Sequence, residues 1–312
     1  MQEKALDIIN EVKKAVVGKD DIVCKLLMVV LAQGHILLED IPGVGKTTLA
    51  LAFSKAVSLD YKRMQFTPDV MPTDVTGFSI YNRATGALEY KPGAALCNLF
   101  LADEINRTSS KTQSALLEVM EEGSITVDGT THPTPKPYIV IATQNPVGSA
   151  GTQLLPESQL DRFMVRMTMG YPDRQAEVEI LKRKQSGDPL DRVQKVATAQ
   201  DLIDMQRSVE TIYLHDDIYD YIARLTRATR ENKMIRLGAS PRGSIALARM
   251  AQAAAFLSGR DYVVPKDVQA VFGDVIEHRI LLNAQAKIAG MTAPQLLKSI
   301  LKEVPAPAVA KR

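Results

Sequence analysis

Seven consecutive residues, 42–48, have the types and spacing of a phosphate-binding loop. Gly43 and Gly45 allow the backbone to turn its N–H groups toward an anion, and Lys46 can reach the β and γ oxygens of a nucleotide. Thr47 offers a hydroxyl group to a magnesium ion. The strict Walker pattern has glycine where this chain has Asp40, so an ordinary strand-to-helix turn is the alternative. The residues that we expect to bind nucleotide here are Pro42, Gly43, Val44, Gly45, Lys46, Thr47 and Thr48.

Two adjacent carboxylates, Asp103 and Glu104, follow an apolar segment that begins at Ala94. Buried parallel strands carry ligand-binding groups beyond their carboxyl ends, where the strands of an α/β sheet meet. Asp103 can hold magnesium directly or through water, and Glu104 can orient and polarise an attacking water. Adjacent acids also occur in solvated loops, but the preceding phosphate-binding pattern favours the catalytic interpretation.

Asn145 follows another apolar run, residues 138–142, and is a candidate for the same site. Its side chain can contact a γ-phosphate or the water beside it. The alternative role is to cap a turn before Pro146.

Arginines are needed to stabilise charge on a transferring phosphoryl group, and no arginine adjoins the phosphate-binding segment in sequence. Arg162 begins the last predicted strand, 160–169, which we expect to place it near the mouth of the site, and it is the candidate we favour; we expect a neighbouring subunit to supply it. Arg166 in the same strand is its rival. Arg242 lies in the first turn of the helix that Ser240-Pro241 predicts, where a cation opposes the helix dipole, and this placement indicates a function.

A turn near the N-terminus is a candidate for contact with a purine base. Val17 offers an apolar surface and Gly18 permits close approach of a ligand. A simple helix C-cap at Gly18 is the alternative.

The elements that must position these residues have an α/β pattern. Two amphipathic helices precede the first strand, and two alternating segments, 70–93 and 124–137, predict hairpins. Beyond about residue 172 the apolar periodicity is helical throughout. We therefore expect a nucleotide-binding core over residues 1–172 and a helical domain over residues 173–312.

Composition excludes several classes of function. A net charge of +2 gives no general reason to expect nucleic acid binding, and no apolar run approaches a membrane span. The four histidines and two cysteines lack the spacing of a zinc site, and Cys24 and Cys97 read as buried thiols. The N-terminus carries charges of both signs and no apolar segment typical of a secretory signal, so we expect a cytoplasmic protein.

Taken together, the chain resembles the MoxR family of AAA+ ATPases along nearly its whole length. The matching segments are Gly43 to Thr47, Asp74 to Gly77, Asp103 to Arg107, Gln113 to Glu118, Ala142 to Pro146, Leu160 to Phe163 and Ser240 to Arg242. The resemblance implies an αβα core with a parallel sheet, followed by a small all-helical lid. It further implies a helix-two insert at 70–93, a pre-sensor-one hairpin at 124–137, sensor one at Asn145, an arginine finger at Arg162 and sensor two at Arg242. Asp40 departs from the loop pattern and puts the conformation at the start of the loop in doubt.

The same resemblance implies ATP and Mg²⁺ as ligands, a hexameric ring, and chaperone-like remodelling of protein clients. Such clients often carry von Willebrand factor A domains, and none follows the lid here, so the partner is expected to be a separate polypeptide. Two other functions stay open. One is a nucleotide-gated scaffold without turnover, and the other is a DNA-associated motor, which the balanced charge disfavours.

Overall fold

The computed structural model describes residues 1–145 and 155–308. Its strands are β1 Ile36–Glu39, β2 Tyr61–Gln65, β3 Gly77–Asn82, β4 Ala87–Pro92, β5 Leu99–Asp103, β6 Ser124–Val127, β7 Thr130–Pro133, β8 Ile139–Gln144, β9 Val165–Met167, β10 Ile235–Leu237 and β11 Leu281–Leu282. Its helices are α1 Gln2–Ala15, α2 Asp20–Leu31, α3 Lys46–Val57, α4 Pro72–Thr76, α5 Ser110–Glu122, α6 Glu157–Leu160, α7 Arg174–Gln185, α8 Ala199–Glu210, α9 Asp216–Glu231, α10 Pro241–Leu257, α11 Pro265–Ile276, α12 Ala284–Ile288 and α13 Ala293–Glu303. Short 3₁₀ turns occur at Ile105–Arg107, Pro189–Arg192 and Glu277–Arg279.

Five parallel strands form the central sheet in the order β2-β5-β8-β1-β9. The three inner strands, β5, β8 and β1, lead into Glu104, Asn145 and the phosphate-binding loop. Parallel strands place their carboxyl ends at one edge of the sheet, so these three segments meet there. The predicted α/β core with a parallel sheet is confirmed.

Residues of the inner strands alternate between two buried layers, as the two-residue period of a strand requires. Ile36, Leu38 and Ile141 face a core that also contains buried residues of α1, α2 and α3 and of the C-terminal helices. Leu37 and Val140 face the other layer, which is closed by α5. The sheet is therefore covered on both faces, and the C-terminal helices share one of its cores.

Two antiparallel hairpins leave the core. The β3-β4 hairpin pairs Gly77 with Pro92 at its base, and the β6-β7 hairpin turns at Asp128 and Gly129, which both have positive φ. The rings of Tyr90 and His132 stack with their centroids 3.9 Å apart, so the two hairpins contact each other. The segment 70–76 holds α4, a short helix that the alternating pattern of the insert did not predict.

The C-terminal region is helical, as expected, with one addition. β10 and β11 form a small antiparallel ribbon in which Ile235 pairs with Leu282. These extended segments lie between helices, where unpaired backbone groups need partners, and pairing them supplies those hydrogen bonds. The lid is therefore helical but not all-helical. The boundary between the two domains near residue 172 stays a prediction.

Candidate functional site

The loop between β1 and α3 has the backbone conformation that a phosphate cradle needs. Gly43 and Gly45 have φ of +86° and +96°, a left-handed region that favours glycine. A side chain added at Gly43 would meet nothing within 4 Å, so the loop borders open space. α3 begins at Lys46 and directs its N-terminus, with its free N–H groups, toward the loop.

The Lys46 side chain is 8% exposed and folds over this loop. Its Nζ donates to the carbonyl oxygens of Asp40 at 2.8 Å and of Ile41 at 3.4 Å. Burial lowers the pKa of the ammonium group, and the neighbouring carboxylates oppose this effect. These carboxylates include Asp103 and Glu104, so Lys46 lies within their electrostatic reach.

Asp40, which stands in place of the Walker glycine, is a buried structural acceptor with 4% exposure. Its Oδ1 accepts from the N–H of Ile41 at 2.9 Å, and its Oδ2 accepts from the N–H of Gly170 at 2.7 Å. The Asp40 N–H donates to the carbonyl of Gln144 at 3.1 Å. Asp40 therefore fixes the start of the loop against the segment that leads into α7.

The acid pair lies at the end of β5 in a network with β8. Glu104 has a φ of +57°, a left-handed conformation that costs a non-glycine residue about 1–3 kcal/mol and is found at functional sites. The Glu104 N–H donates to Thr143 Oγ1 at 2.8 Å, and the Thr143 hydroxyl donates to Asp103 Oδ1 at 2.6 Å. Thr143 thereby holds both acidic residues in place.

Glu104 also contacts Asn145, as the topology predicts. Asn145 Nδ2 donates to Glu104 Oε1 at 3.1 Å, and Arg107 Nη1 donates to Oε2 at 2.8 Å. Burial raises the pKa of the Glu104 carboxyl, but these hydrogen bonds lower it by more, so the net pKa lies below the ordinary value. Asn145 Oδ1 is buried and accepts no hydrogen bond from the described residues, so it can accept one from water. Pro146 lies outside the described residues.

Arg63 is a site residue that sequence reasoning missed. Its guanidinium donates to Asp103 Oδ2 from Nη2 at 2.7 Å and from Nε at 3.3 Å. With Arg107 on Glu104, it places two guanidinium groups of the same chain beside these acids, although no arginine adjoins the phosphate-binding segment in sequence. The strand period was the available signal, because Arg63 lies two residues before Gln65, which pairs with Asp103.

Gly18 approaches a protein element rather than capping a helix. A Cβ on Gly18 would lie 2.6 Å from the Cβ of Ala176 in α7, and the C-cap residue of α1 is Val16. The helix-cap interpretation of Gly18 is therefore wrong. Val17 is half-buried beside it, and contact of Val17 and Gly18 with a purine base stays a prediction.

Arg162 lies in the turn between α6 and β9, before the amino end of β9. Its Nη1 donates to the carbonyl of Leu117 at 3.0 Å and forms an ion pair with Glu121. The phosphate-binding loop follows the carboxyl end of β1, so Arg162 lies at the opposite edge of the sheet. The start of β9 is therefore not near the mouth of this chain's own site, and the supply of Arg162 by a neighbouring subunit stays a prediction.

Arg242 joins Arg162 at this edge. Ser240 Oγ accepts from the Gly243 N–H at 3.4 Å and caps α10, and Arg242 Nη2 donates to Glu121. Glu121 therefore compensates a cation that opposes the helix dipole. His35, which precedes β1, lines the same cavity as the two arginines. The chain from His35 to Asp40, which contains β1, spans roughly 16 Å. The side chains of Arg162 and Arg242 are too short to reach the phosphate-binding loop of the same chain across that distance.

Arg166, the rival of Arg162, points to other partners. It lies within β9 and contacts Glu39 at 3.5 Å and Glu277 at 3.0 Å. Glu39 directly precedes Asp40, so Arg166 contacts a residue next to the phosphate-binding loop of its own chain. The partners of Arg162 lie on α5 instead.

The donors present fit magnesium bound together with a nucleotide. Thr47 and Asp103 offer oxygen ligands, which Mg²⁺ prefers. The described residues contain no group of three or more His, Cys, Asp or Glu side chains that could hold a metal ion by themselves. A metal at this site would therefore depend on phosphate oxygens and water for its other ligands.

Further observations concern residues outside this site. Cys24 and Cys97 are free thiols; Cys97 is buried and Cys24 is partly buried. The arginines of α9 have partners within the described chain: Arg224 binds Asp220, Arg227 binds Glu231, and Arg230 binds the carbonyl of Ala239. No helix in the described ranges is both long and apolar enough to cross a membrane.

Comparison with known proteins supports the geometry. The ATPase family associated with various cellular activities (AAA) matches residues 35–165, and the AAA lid domain matches residues 227–300. The chain is 48% identical over 304 residues to the uncharacterized protein YeaC of Bacillus subtilis, covering 97% of this chain and 94% of that protein. It is 38% identical over 310 residues to Chaperone MoxR1 of Mycobacterium tuberculosis, covering 96% and 82% of the two chains.

A solved structure is similar over nearly the whole chain. The crystal structure of a Cytophaga hutchinsonii protein described as a candidate ATPase superimposes with a TM-score of 0.91 at 39% identity, covering 98% of this chain and 96% of that one. Protein MoxR of Methylorubrum extorquens is 31% identical over 325 residues, covering 96% of this chain and 94% of that protein. With a phosphate-binding loop, an acid pair and Asn145 gathered at one edge of its parallel sheet, this chain belongs to the MoxR family of AAA+ ATPases.

Proposed function

We propose that this protein hydrolyses ATP at sites shared between adjacent subunits of a hexameric ring and uses the turnover to remodel a protein client. The observation that carries the proposal is that two sets of candidate site residues lie at opposite edges of the sheet. Lys46, Asp103, Glu104 and Asn145 gather at one edge of the sheet, and Arg162 and Arg242 gather at the other. A ring in which the second edge of one subunit faces the first edge of its neighbour completes each site.

Within one subunit, the loop N–H groups and Lys46 bind the β and γ phosphates, and the Val17-Gly18 turn contacts the base. Magnesium, held by Thr47 and Asp103, would neutralise charge on the phosphate oxygens. Glu104 is ionised and polarises the attacking water, while the free Oδ1 of Asn145 accepts a hydrogen bond from that water and fixes its position.

The neighbouring subunit supplies the cations. Negative charge on the γ-phosphoryl group is stabilised by Arg162, with Arg242 beside it, and an arginine supplied in this way contributes ~10³–10⁵-fold in rate. Arg63 and Arg107 do not replace them, because each is paired with its own acid of the site, whereas Arg162 and Arg242 share the single carboxylate of Glu121. Hydrolysis then depends on assembly, as a machine that acts on a client requires.

The client is proposed to be a separate protein, with a von Willebrand factor A domain as the first class to test. A relative that is 38% identical bears the name Chaperone MoxR1, which supports a chaperone-like role. The β3-β4 hairpin exposes Tyr81 and Leu88, an opposed pair that are 60% and 63% exposed and could bind a client. A cytoplasmic location belongs to the same proposal, because turnover needs a compartment that holds ATP.

Mixing two inactive variants tests the shared site. Glu104→Gln retains the arginine edge and Arg162→Ala retains the acid edge, so about a quarter of the interfaces in an equal mixture should contain both intact edges. Hydrolysis should reappear in the mixture once subunits exchange. Arg166→Ala is the matched control. Mixed with Glu104→Gln, it should give no more hydrolysis than wild type mixed with Glu104→Gln in the same proportion. A mixture that stays inactive despite proven exchange contradicts the proposal.

A further inference from the structure

One carboxylate, that of Glu121 near the end of α5, binds both arginines of the shared edge. Oε2 pairs with Nη1 of Arg162, and Oε1 accepts from Nη2 of Arg242. Arg162 belongs to the core and Arg242 to the lid, so Glu121 connects the guanidinium groups of the two regions. Sequence reasoning did not select Glu121, because nothing in its neighbourhood along the chain indicates these partners.

The backbones that carry the two arginines are also joined. Asp161, which precedes Arg162, accepts from Ser240 Oγ at 2.8 Å through Oδ2, and Ser240 caps the helix of Arg242. Asp161 Oδ1 accepts from Nε of the buried Arg279 at 2.8 Å, and Arg279 Nη1 donates to the carbonyl of Met164 at 3.0 Å. The turn that carries Arg162 is therefore joined to the start of α10 through Ser240, and it is held in place by Arg279.

Two guanidinium groups held this close repel each other and would turn apart without an anion between them. Glu121 supplies that anion and fixes one nitrogen of each group. The Nη1 of Arg162 also donates to the carbonyl of Leu117 at 3.0 Å, one helical turn before Glu121, so this nitrogen is committed to α5. The Nε and Nη1 of Arg242 make no hydrogen bond to residues within 1–145 and 155–308, which leaves them for an external anion.

We propose that Glu121 is a positioning residue that aligns Arg162 and Arg242 as a single two-pronged group for the γ-phosphate of the neighbouring subunit. This inference rests on the proposed function, since it assigns Glu121 to the arginine edge of the shared site. Glu121 touches neither the nucleotide nor the acids of its own chain. Its effect is on the geometry of the cations, so it changes the turnover number rather than the binding of ATP.

Glu121→Gln compared with Glu122→Gln is the primary test. Glu122 is the next residue, is exposed, and has no ion pair or side-chain hydrogen bond within the described chain, so it is a matched control for the loss of one charge on α5. Glu121→Gln should lower kcat about tenfold, because the long side chains of Arg162 and Arg242 are then no longer held in order before the reaction. KM and the temperature of thermal unfolding should be nearly unchanged. Glu122→Gln should hydrolyse ATP at the wild-type rate.

Subunit mixing identifies the edge on which Glu121 acts, a readout that a general loss of structure would not move. Glu121→Gln mixed with Glu104→Gln should regain hydrolysis, whereas Glu121→Gln mixed with Arg162→Ala should not. The double variant Glu121→Gln with Arg162→Ala should be no slower than Arg162→Ala alone, because both changes damage the same group.

Four results would overturn the inference, three of them specific to Glu121. Equal rates for Glu121→Gln, Glu122→Gln and wild type would show that Glu121 positions nothing, and faster hydrolysis by Glu121→Gln would show that it competes with the phosphate. Recovery with Arg162→Ala but not with Glu104→Gln would place Glu121 on the acid edge. Failure of Arg162→Ala itself to complement Glu104→Gln overturns the proposed function and this inference with it, so the two failures are distinguishable.

Discussion

The carboxylate of Asp40 accepts a hydrogen bond of 2.7 Å from the backbone N–H of Gly170. This contact joins the start of the phosphate-binding loop to the segment between β9 and α7. Lys19 strengthens the same connection from the N-terminal side, because its Nζ donates to the carbonyl of Tyr171 at 2.9 Å. The residue that departs from the Walker pattern thus links the nucleotide loop to the segment that leads into α7.

Replacing Asp40 by glycine restores the Walker pattern but should weaken the protein. The change removes two hydrogen bonds to a buried carboxylate and adds backbone freedom, which together should lower the free energy of unfolding by about 3 kcal/mol. Asp40→Asn keeps one acceptor oxygen and should lose about half as much. Chemical denaturation of the three proteins measures this, with ATP affinity recorded in parallel. Equal stability of Asp40→Gly and wild type would exclude a role for the Gly170 contact.

Lys46→Ala and Glu104→Gln should separate ATP binding from hydrolysis. Lys46→Ala removes the cation directed at the phosphates and should abolish ATP binding. Glu104→Gln leaves the loop intact and removes the group that polarises water, so it should bind ATP normally and lose ~10²–10⁴-fold in turnover. Equilibrium binding and steady-state hydrolysis give both quantities. Near-normal hydrolysis by Glu104→Gln would remove Glu104 from the mechanism.

Deleting the tip of the β3-β4 hairpin, residues 82–86, should leave basal hydrolysis within about twofold of wild type. The side chain of Asn82 makes its contacts within the hairpin, including acceptance from the Ala84 N–H at 2.9 Å, so the core loses little. Remodelling of a client should be impaired. Clients can be identified by crosslinking the Glu104→Gln variant in cells, and equal binding and equal ATP-dependent change with the deletion would exclude this tip as the working surface.

Acid should destabilise the protein through His35. Its Nδ1 accepts from the Val140 N–H at 3.1 Å and its Nε2 lies 3.0 Å from the Met120 carbonyl, an arrangement that requires the neutral ring. Burial lowers its pKa to about 4 from an ordinary 6.5. The unfolded chain therefore binds a proton between these values that the folded chain does not, so stability is complete above pH 6.5 and falls by about 3 kcal/mol as pH drops to 4.

Replacement of His35 by glutamine measures this contribution. The slope of unfolding free energy against pH between 6.5 and 4 should be smaller in His35→Gln than in wild type. Burial also lowers the pKa of His278 well below its ordinary value, so part of the slope should remain. An unchanged slope in His35→Gln would show that His35 is not the group responsible.

Much of the fold could be predicted because its signals are local. The glycines at 43 and 45, the apolar runs before Glu104 and Asn145, and the helical periodicity after residue 172 each depend on neighbours along the chain. Parallel strands then bring their carboxyl ends together, so the contact between Glu104 and Asn145 follows from topology. The sequence by itself therefore determined the α/β core, the helical lid and the composition of the nucleotide edge.

The tertiary structure alone decided which distant side chains meet. Asp40 and Gly170 are 130 residues apart, Arg242 and Glu121 are 121 apart, and Arg63 and Asp103 are 40 apart. No periodicity or spacing specifies such pairs, because they depend on how separate elements pack and on the rotamer that each long side chain adopts. For the same reason the sequence could not assign Arg162 to an edge of the sheet, since the direction of β9 relative to β1 is fixed only by their pairing.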